Sequence, residues 1–173
     1  MAGVIDPTGR DRLADRPDAL FAYGSLTFPE VLEVLLGRVP AAVPATAPGW
    51  RIAALRDRPF PVLVPGAGVA VGVLLTDLTS TEWRIVDAFE ARSYELREID
   101  LDVGRGGAYV AGARADADWG VLPRDWAREA FDLPSYLQRC SDWRQTAPVW
   151  RTSAATARKS PAAPARAGLP PEE

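Results

Sequence analysis

The sequence predicts an α+β domain: a small mixed β-barrel, or strongly curved sheet, flanked by helices. Two observations predict it. The elements run in the order β-α-β-β-β-α-β-β-α, which lacks the strict alternation of a doubly wound parallel sheet. The β-like runs are long and joined by Gly and Pro turns, the pattern of strands that bend rather than lie flat.

Ala19-Leu20-Phe21-Ala22-Tyr23 reads as a first, buried strand that Gly24 ends. Thr27 is placed to cap a helix, Pro29-Glu30 suits its first turn, and Gly37 closes it after Val31, Leu32, Val34, Leu35 and Leu36. Three β runs follow, over 42–54, 60–64 and 68–76. Thr79 and Glu82 have capping-box spacing and open a helix carrying Trp83, Ile85, Val86 and Phe89. Residues 94–103 alternate as a strand. Gly104 to Gly107 is expected to turn, and 108–114 to return as a hairpin partner. Residues 123–143 are expected to be helical, with a break near Pro134.

The chain has 173 residues, 47% apolar and 25% charged, which suits one domain with a core. That domain is expected over 19–148. Residues 1–18 are polar and expected to form a flexible arm. Residues 149–173 form an Ala/Pro-rich tail that has little to bury and is expected to be disordered. A net charge of −3 argues against a nucleic-acid partner, which would ask for a basic face. A single Cys, a charged first twenty residues and no long apolar run point to a soluble cytoplasmic protein with no membrane partner. Lys159 as the sole Lys among 20 basic residues, with abundant Ala and Pro, suggests a GC-rich bacterial genome.

The chain contains no His. Ser-His and Cys-His nucleophile pairs are thereby excluded, with nearly all zinc sites. Acid–base chemistry must then come from carboxylates, Tyr, Lys or the thiol. Asp116 and Asp118, in an expected loop, do not make a metal site, and Cys140 reads as a small apolar filler. No metal or cofactor is expected.

Two places remain. The turn Tyr23-Gly24-Ser25-Leu26 joins a buried strand to a helix start, where backbone N–H groups can meet a carboxylate or a developing oxyanion; equally it suits a plain turn whose Ser satisfies backbone donors. Glu90 is the other. Advancing about 100° per residue from Ile85, Phe89 falls near 40°, Val86 near 100°, Glu90 near 140° and Trp83 near 160°. Glu90 therefore lies on the apolar arc, with Asp87 outside it. A carboxyl there is either held at raised pKa for proton transfer or paired with an Arg such as Arg92 or Arg97. Tyr94 follows at a strand start, with Glu95 facing the opposite way.

Phe21-Ala22-Tyr23-Gly24-Ser25-Leu26, Phe60-Pro61-Val62-Leu63-Val64, Val69 to Leu75, and Val86-Asp87-Ala88-Phe89-Glu90 with Tyr94-Glu95 together resemble the AIG2-like branch of the γ-glutamylcyclotransferase-like family. The resemblance covers about residues 20–143. It implies a cavity at the mouth of the barrel where Tyr23, Gly24, Ser25 and Leu26 hold a γ-glutamyl group and Tyr94 helps to line the site. It implies Glu90 as general acid/base in a metal-independent reaction that converts a γ-glutamyl amine or peptide into 5-oxoproline and a free amine. The alternative is a non-catalytic small-molecule-binding protein on the same scaffold. Ser93 stands where an acidic residue often precedes the Tyr, and Leu96 where an Arg often follows it, with Arg97 next. The identity of the amine and the oligomeric state are left open.

Overall fold

A computed structural model describes residues 11–147; the expected disorder of 149–173 lies outside the described residues, as does the first part of the arm. The elements are β1 (Leu20–Ala22), α1 (Pro29–Leu36), β2 (Ala42–Leu55), β3 (Val62–Leu75), α2 (Ser80–Phe89), β4 (Tyr94–Leu101), β5 (Gly104–Ala111), α3 (Ala115–Trp119), β6 (Val121–Asp125) and α4 (Leu133–Thr146). Six strands form one mixed sheet in the order β4-β5-β1-β3-β2-β6, curled into a half-barrel with helices outside. The predicted fold class is the one observed.

β1 is short because it is wedged. It pairs antiparallel with β3 (Leu20 opposite Leu75, Ala22 opposite Val73) and parallel with β5 (Leu20 opposite Gly107). Its side chains alternate between two cores, as a strand's period of two requires. Leu20 and Ala22 join the cluster under the helices, with Val31, Leu35, Trp83 and Val86. Phe21 and Tyr23 join the cluster inside the curl, with Ala45, Ala70, Leu74, Ile99 and Val110.

The runs at 60–64 and 68–76 are one strand, not two. β3 is continuous through Pro65 to Gly68, but the ladder is bulged there: Pro48 pairs with Val69 and Trp50 with Pro65, so Gly66, Ala67 and Gly68 of β3 stand opposite Gly49 alone. There Gly49 takes φ +79°, a bulge that bends the hairpin. The bend lets the start of β3 also reach β5, with Leu63 opposite Val110 in the parallel sense. A second tie closes the curl: Asp102 accepts from the Thr46 N–H at 2.6 Å and donates its own N–H to the Thr46 carbonyl at 3.0 Å.

Thr27 does not cap α1. It sits in a 3₁₀ turn over Ser25–Thr27, with its hydroxyl donating to the Gly24 carbonyl at 2.6 Å, and Phe28 takes the cap position. Gly37 closes α1 in the left-handed region, as expected. The capping box of α2 is complete, and its Glu82 also accepts from Arg38 at 2.6 and 2.8 Å. The β4–β5 turn lies at Asp102-Val103, earlier than expected. Gly104 through Gly107 belong to β5, and a Cβ on Gly106 would stand 2.7 Å from Leu74 Cδ1. Gly106 and Gly107 are there for close packing, whereas Gly104, with open space around it, takes φ +123° where the chain leaves the turn.

Residues 123–143 are not continuously helical. Val121–Asp125 is an edge strand on β2, and α4 begins only at Leu133, with Asp132 accepting from the Ser135 N–H at 3.2 Å. Pro134 lies in the first turn of that helix, where a missing N–H is tolerated, and breaks nothing. Among the described residues, no helix is long and apolar enough to cross a membrane.

Candidate functional site

Beyond Ala22 the place beside β5 is taken by Leu63, and the chain leaves the sheet. Tyr23, Gly24, Ser25 and Leu26 make that exit. A cavity of about 110 Å³ opens there, lined by these four residues, by Phe60 and Pro61, by Phe89 to Ala91, and by Tyr94 and Tyr109. Every residue singled out from the sequence, Tyr23, Gly24, Ser25, Leu26, Glu90 and Tyr94, borders this one cavity.

The turn supplies donors. Its carbonyls are engaged: the Thr27 N–H donates to the Gly24 carbonyl at 3.0 Å and the Phe28 N–H to the Ser25 carbonyl at 3.2 Å. The N–H groups of Gly24, Ser25 and Leu26 donate to no other described residue. Buried backbone donors need an acceptor, so an anionic or carbonyl oxygen in the cavity suits them. Gly24 is needed for close approach. A Cβ there would stand 2.8 Å from Pro61 Cγ and 3.0 Å from its Cδ. Gly24→Ala is expected to push the Pro61 wall away from the turn. The cost is about 1–3 kcal/mol, read as a fall of several degrees in Tm in a thermal unfolding scan.

Glu90 is the residue after α2, its N–H still bonded to the Val86 carbonyl at 2.9 Å and its ψ already extended. The carboxyl is therefore carried where the helix gives way to a loop. Burial pushes its pKa up to about 8; Arg12 pulls it down and Asp87 pushes it up. Neither Arg92 nor Arg97 pairs with it. Arg97 binds Glu95 at 2.7 Å on the face of β4 opposite to Tyr94.

The chain has four tyrosines, and all four surround Glu90. Each commits its hydroxyl proton elsewhere: Tyr23 to the Tyr109 carbonyl, Tyr94 to the Pro61 carbonyl at 2.7 Å, Tyr109 to Asp87 Oδ1 at 2.9 Å, and Tyr136 to Ser25 Oγ at 3.1 Å. Burial raises all four phenol pKa values, so they stay neutral. A phenol that has given away its proton presents only lone pairs. With the Glu90 carboxyl, this favours a ligand bearing an amine or ammonium.

Asp87 is a correction. Helical spacing put it outside the apolar arc, yet it is 2% exposed. It is buried because Tyr109 donates to it and Arg12 Nε lies 3.0 Å away, close enough for an ion pair but not aligned as a hydrogen bond. Burial raises its pKa against the pull of Arg12. Arg12 corrects the flexible-arm expectation for residues 11–18. Its side chain is 5% exposed, Leu13 packs on the core, and Arg16 donates to Ser80 Oγ at 3.0 Å. Sequence reasoning missed Arg12, Asp87, Tyr109 and Tyr136. The scarcity of Tyr was a usable signal for two of them; nothing local marks Arg12.

Asp116 accepts from the Val121 N–H at 3.1 Å and Asp118 pairs with Arg114 at 3.6 Å, which gives both a structural role. Among the described residues no three His, Cys, Asp or Glu side chains gather as a metal site. Cys140 is buried in α4, as expected of a filler.

Residues 20–128 match a family model described as gamma-glutamyl cyclotransferase, AIG2-like. AIG2-like protein C of Arabidopsis thaliana is 39% identical over 83 residues, 47% of this chain and 48% of that protein. AIG2-like protein A of the same plant is 40% identical over 83 residues, 47% of this chain and 50% of that one. The chain spans about half the length of the curated relatives it matches. Two solution structures of Arabidopsis thaliana proteins share the fold. One aligns at TM-score 0.53 and 24% identity, covering 83% of this chain and 97% of the other. The second aligns at TM-score 0.54 and 22% identity, covering 82% and 87%.

Proposed function

The chain belongs to the AIG2-like γ-glutamyl cyclotransferase family, and we propose that it closes a γ-glutamyl amine or γ-glutamyl peptide into 5-oxoproline and releases the free amine. One observation carries this reading: a buried carboxyl and a bend with free backbone donors border the same small cavity.

The reaction needs no nucleophile from the protein. The substrate's α-amine attacks its own γ-carbonyl carbon, forming the ring C–N bond and a tetrahedral oxyanion. Glu90 takes the proton the amine sheds. The N–H groups of Gly24, Ser25 and Leu26 hold the oxyanion, the kind of preorganised donor set that favours such a charge. Glu90 then returns the proton to the departing nitrogen as the original amide C–N bond breaks. Atoms and protons balance without water or a co-reactant. Binding the γ-glutamyl chain folded supplies the proximity that ring closure requires. Tyr23 and Tyr94 are assigned to shape the pocket and to accept from the α-amine before it reacts.

The test is incubation of the full chain with a panel of γ-glutamyl amines and γ-glutamyl dipeptides, scoring 5-oxoproline by mass. Time-dependent 5-oxoproline from at least one member, with an equal amount of free amine, is the expected result. Saturable binding without product across the panel would instead make the chain a binding protein.

A further inference from the structure

Four backbone carbonyls at the end of α2 and in the loop after it converge on one guanidinium. Arg12 Nη2 donates to the Asp87 carbonyl at 2.8 Å and the Glu90 carbonyl at 3.3 Å, and Nη1 to the Tyr94 carbonyl at 2.9 Å and the Ala91 carbonyl at 3.3 Å. The last carbonyls of a helix have no partner within it, and the negative end of the helix dipole favours a cation. Arg12 answers both. Its guanidinium also lies 5.4 Å from the Tyr109 ring centroid. This residue comes from outside residues 20–128, and no helix or strand carries it.

We propose that Arg12 is the positioning residue for Glu90, fixing from the N-terminal side the stretch of backbone on which the carboxyl is carried. The proposal rests on the reading of Glu90 as the proton-transfer group. The planar fork of an arginine can serve several carbonyls at once, which the single ammonium of a lysine cannot. With Arg12 in place, the peptide units of residues 87–94 form one clamped loop, and Glu90 and Tyr94 keep a fixed separation across the cavity. Arg12 also places a positive charge near the Glu90 carboxyl. The other titratable groups facing Glu90 are Asp87 on α2, Tyr23 after β1, Tyr94 on β4, Tyr109 on β5 and Tyr136 on α4. Among the described residues, Arg12 is the one cation that acts on the Glu90 carboxyl.

Arg12→Ala and Arg12→Lys in the full chain test this with two readouts. The first is the titration of the Glu90 carboxyl, followed by NMR of carboxyl-labelled protein without substrate. The second is the split of kcat from KM and its pH profile on a substrate from the panel. For Arg12→Ala, the Glu90 midpoint is expected to rise by about one unit, with kcat falling at least about tenfold and KM little changed. For Arg12→Lys, the midpoint is expected to return toward wild type while kcat stays several-fold low, because charge is restored and the four-carbonyl clamp is not. An unmoved Glu90 midpoint in both variants would overturn the proposal, as would full recovery of kcat by lysine. If Arg12→Ala does not fold, Arg12→Lys decides: native titration with lowered kcat supports the clamp, and native values of both remove it. If no panel member is turned over, the assignment of function fails, while the titration without substrate still judges Arg12.

Discussion

Replacing Glu90 with Gln is expected to lower ring closure by about 10²–10⁴-fold, the usual worth of a positioned general acid–base, while binding of the γ-glutamyl compound stays within a few-fold. Gln is nearly isosteric and keeps the cavity filled, so the loss isolates the proton. The pH profile carries the same information. Glu90 must be ionised to take a proton and the α-amine neutral to attack; the proton the amine sheds is the one returned to the departing nitrogen, so an extra proton on either group blocks the step. In wild type, kcat/KM should therefore rise as pH climbs through about 8, where Glu90 ionises, and then level off. The rising limb disappears in Glu90→Gln. Steady-state rates between pH 5 and 10 on both proteins check this; a variant with wild-type kcat and an unchanged rising limb would remove Glu90 from the reaction.

Glu90 also leaves a mark on stability. Its pKa is raised from 4.5 in the free side chain to about 8 in the fold. Between those values the folded protein holds a proton that the unfolded chain has lost, so this group's contribution falls as pH rises through the window. Because Glu90 is only half-buried, the effect is a fraction of the full shift, on the order of 1–3 kcal/mol. Glu90→Gln should flatten that decline.

The second large effect concerns Asp87. Asp87→Ala is expected to cost about 3–5 kcal/mol, a large share of a typical total of roughly 5–15 kcal/mol. The substitution removes the carboxylate paired with the buried Arg12 and takes the acceptor from the Tyr109 hydroxyl. The penalty comes from the abandoned charge more than from the lost attraction. Removing both charges, with Arg12→Met and Asp87→Leu together, relieves the abandoned charge but leaves the four carbonyls and the Tyr109 hydroxyl without their partners, so only part of the stability should return. Urea unfolding of the three proteins measures this; a single variant within 1 kcal/mol of wild type would show that the pair is not the buried lock described.

The sequence and the structure agree best where the governing interactions are local. The α2 capping box, the Gly37 stop, the alternation of β4 and the exit turn after β1 depend on residues within a few positions of one another. Glu90 was legible for a related reason: periodicity put it on the inner side of α2 although it stands just past the last helical residue. The failures are all long-range. A helical wheel sorts Asp87 outward because it sees polarity, whereas burial was decided by Arg12, 75 positions earlier, and by Tyr109 on β5. Pro65 and Gly66 look like a strand end, and only a bulge, with Gly66 to Gly68 opposite Gly49, lets β3 run on past them. Gly106 and Gly107 look like a turn, and only contact with Leu74 and Pro17 shows that they are packing residues. The edge strand β6 gave no signal distinct from the helix after it.

The three-residue length of β1 has one more effect. Had it run two residues further, its backbone would have continued along β5 and occupied the ground where Leu63 now meets Val110. The cavity exists because a strand stops early, so its breadth is set by main-chain geometry before any side chain is chosen. Residues around the rim can then be exchanged without rebuilding the frame.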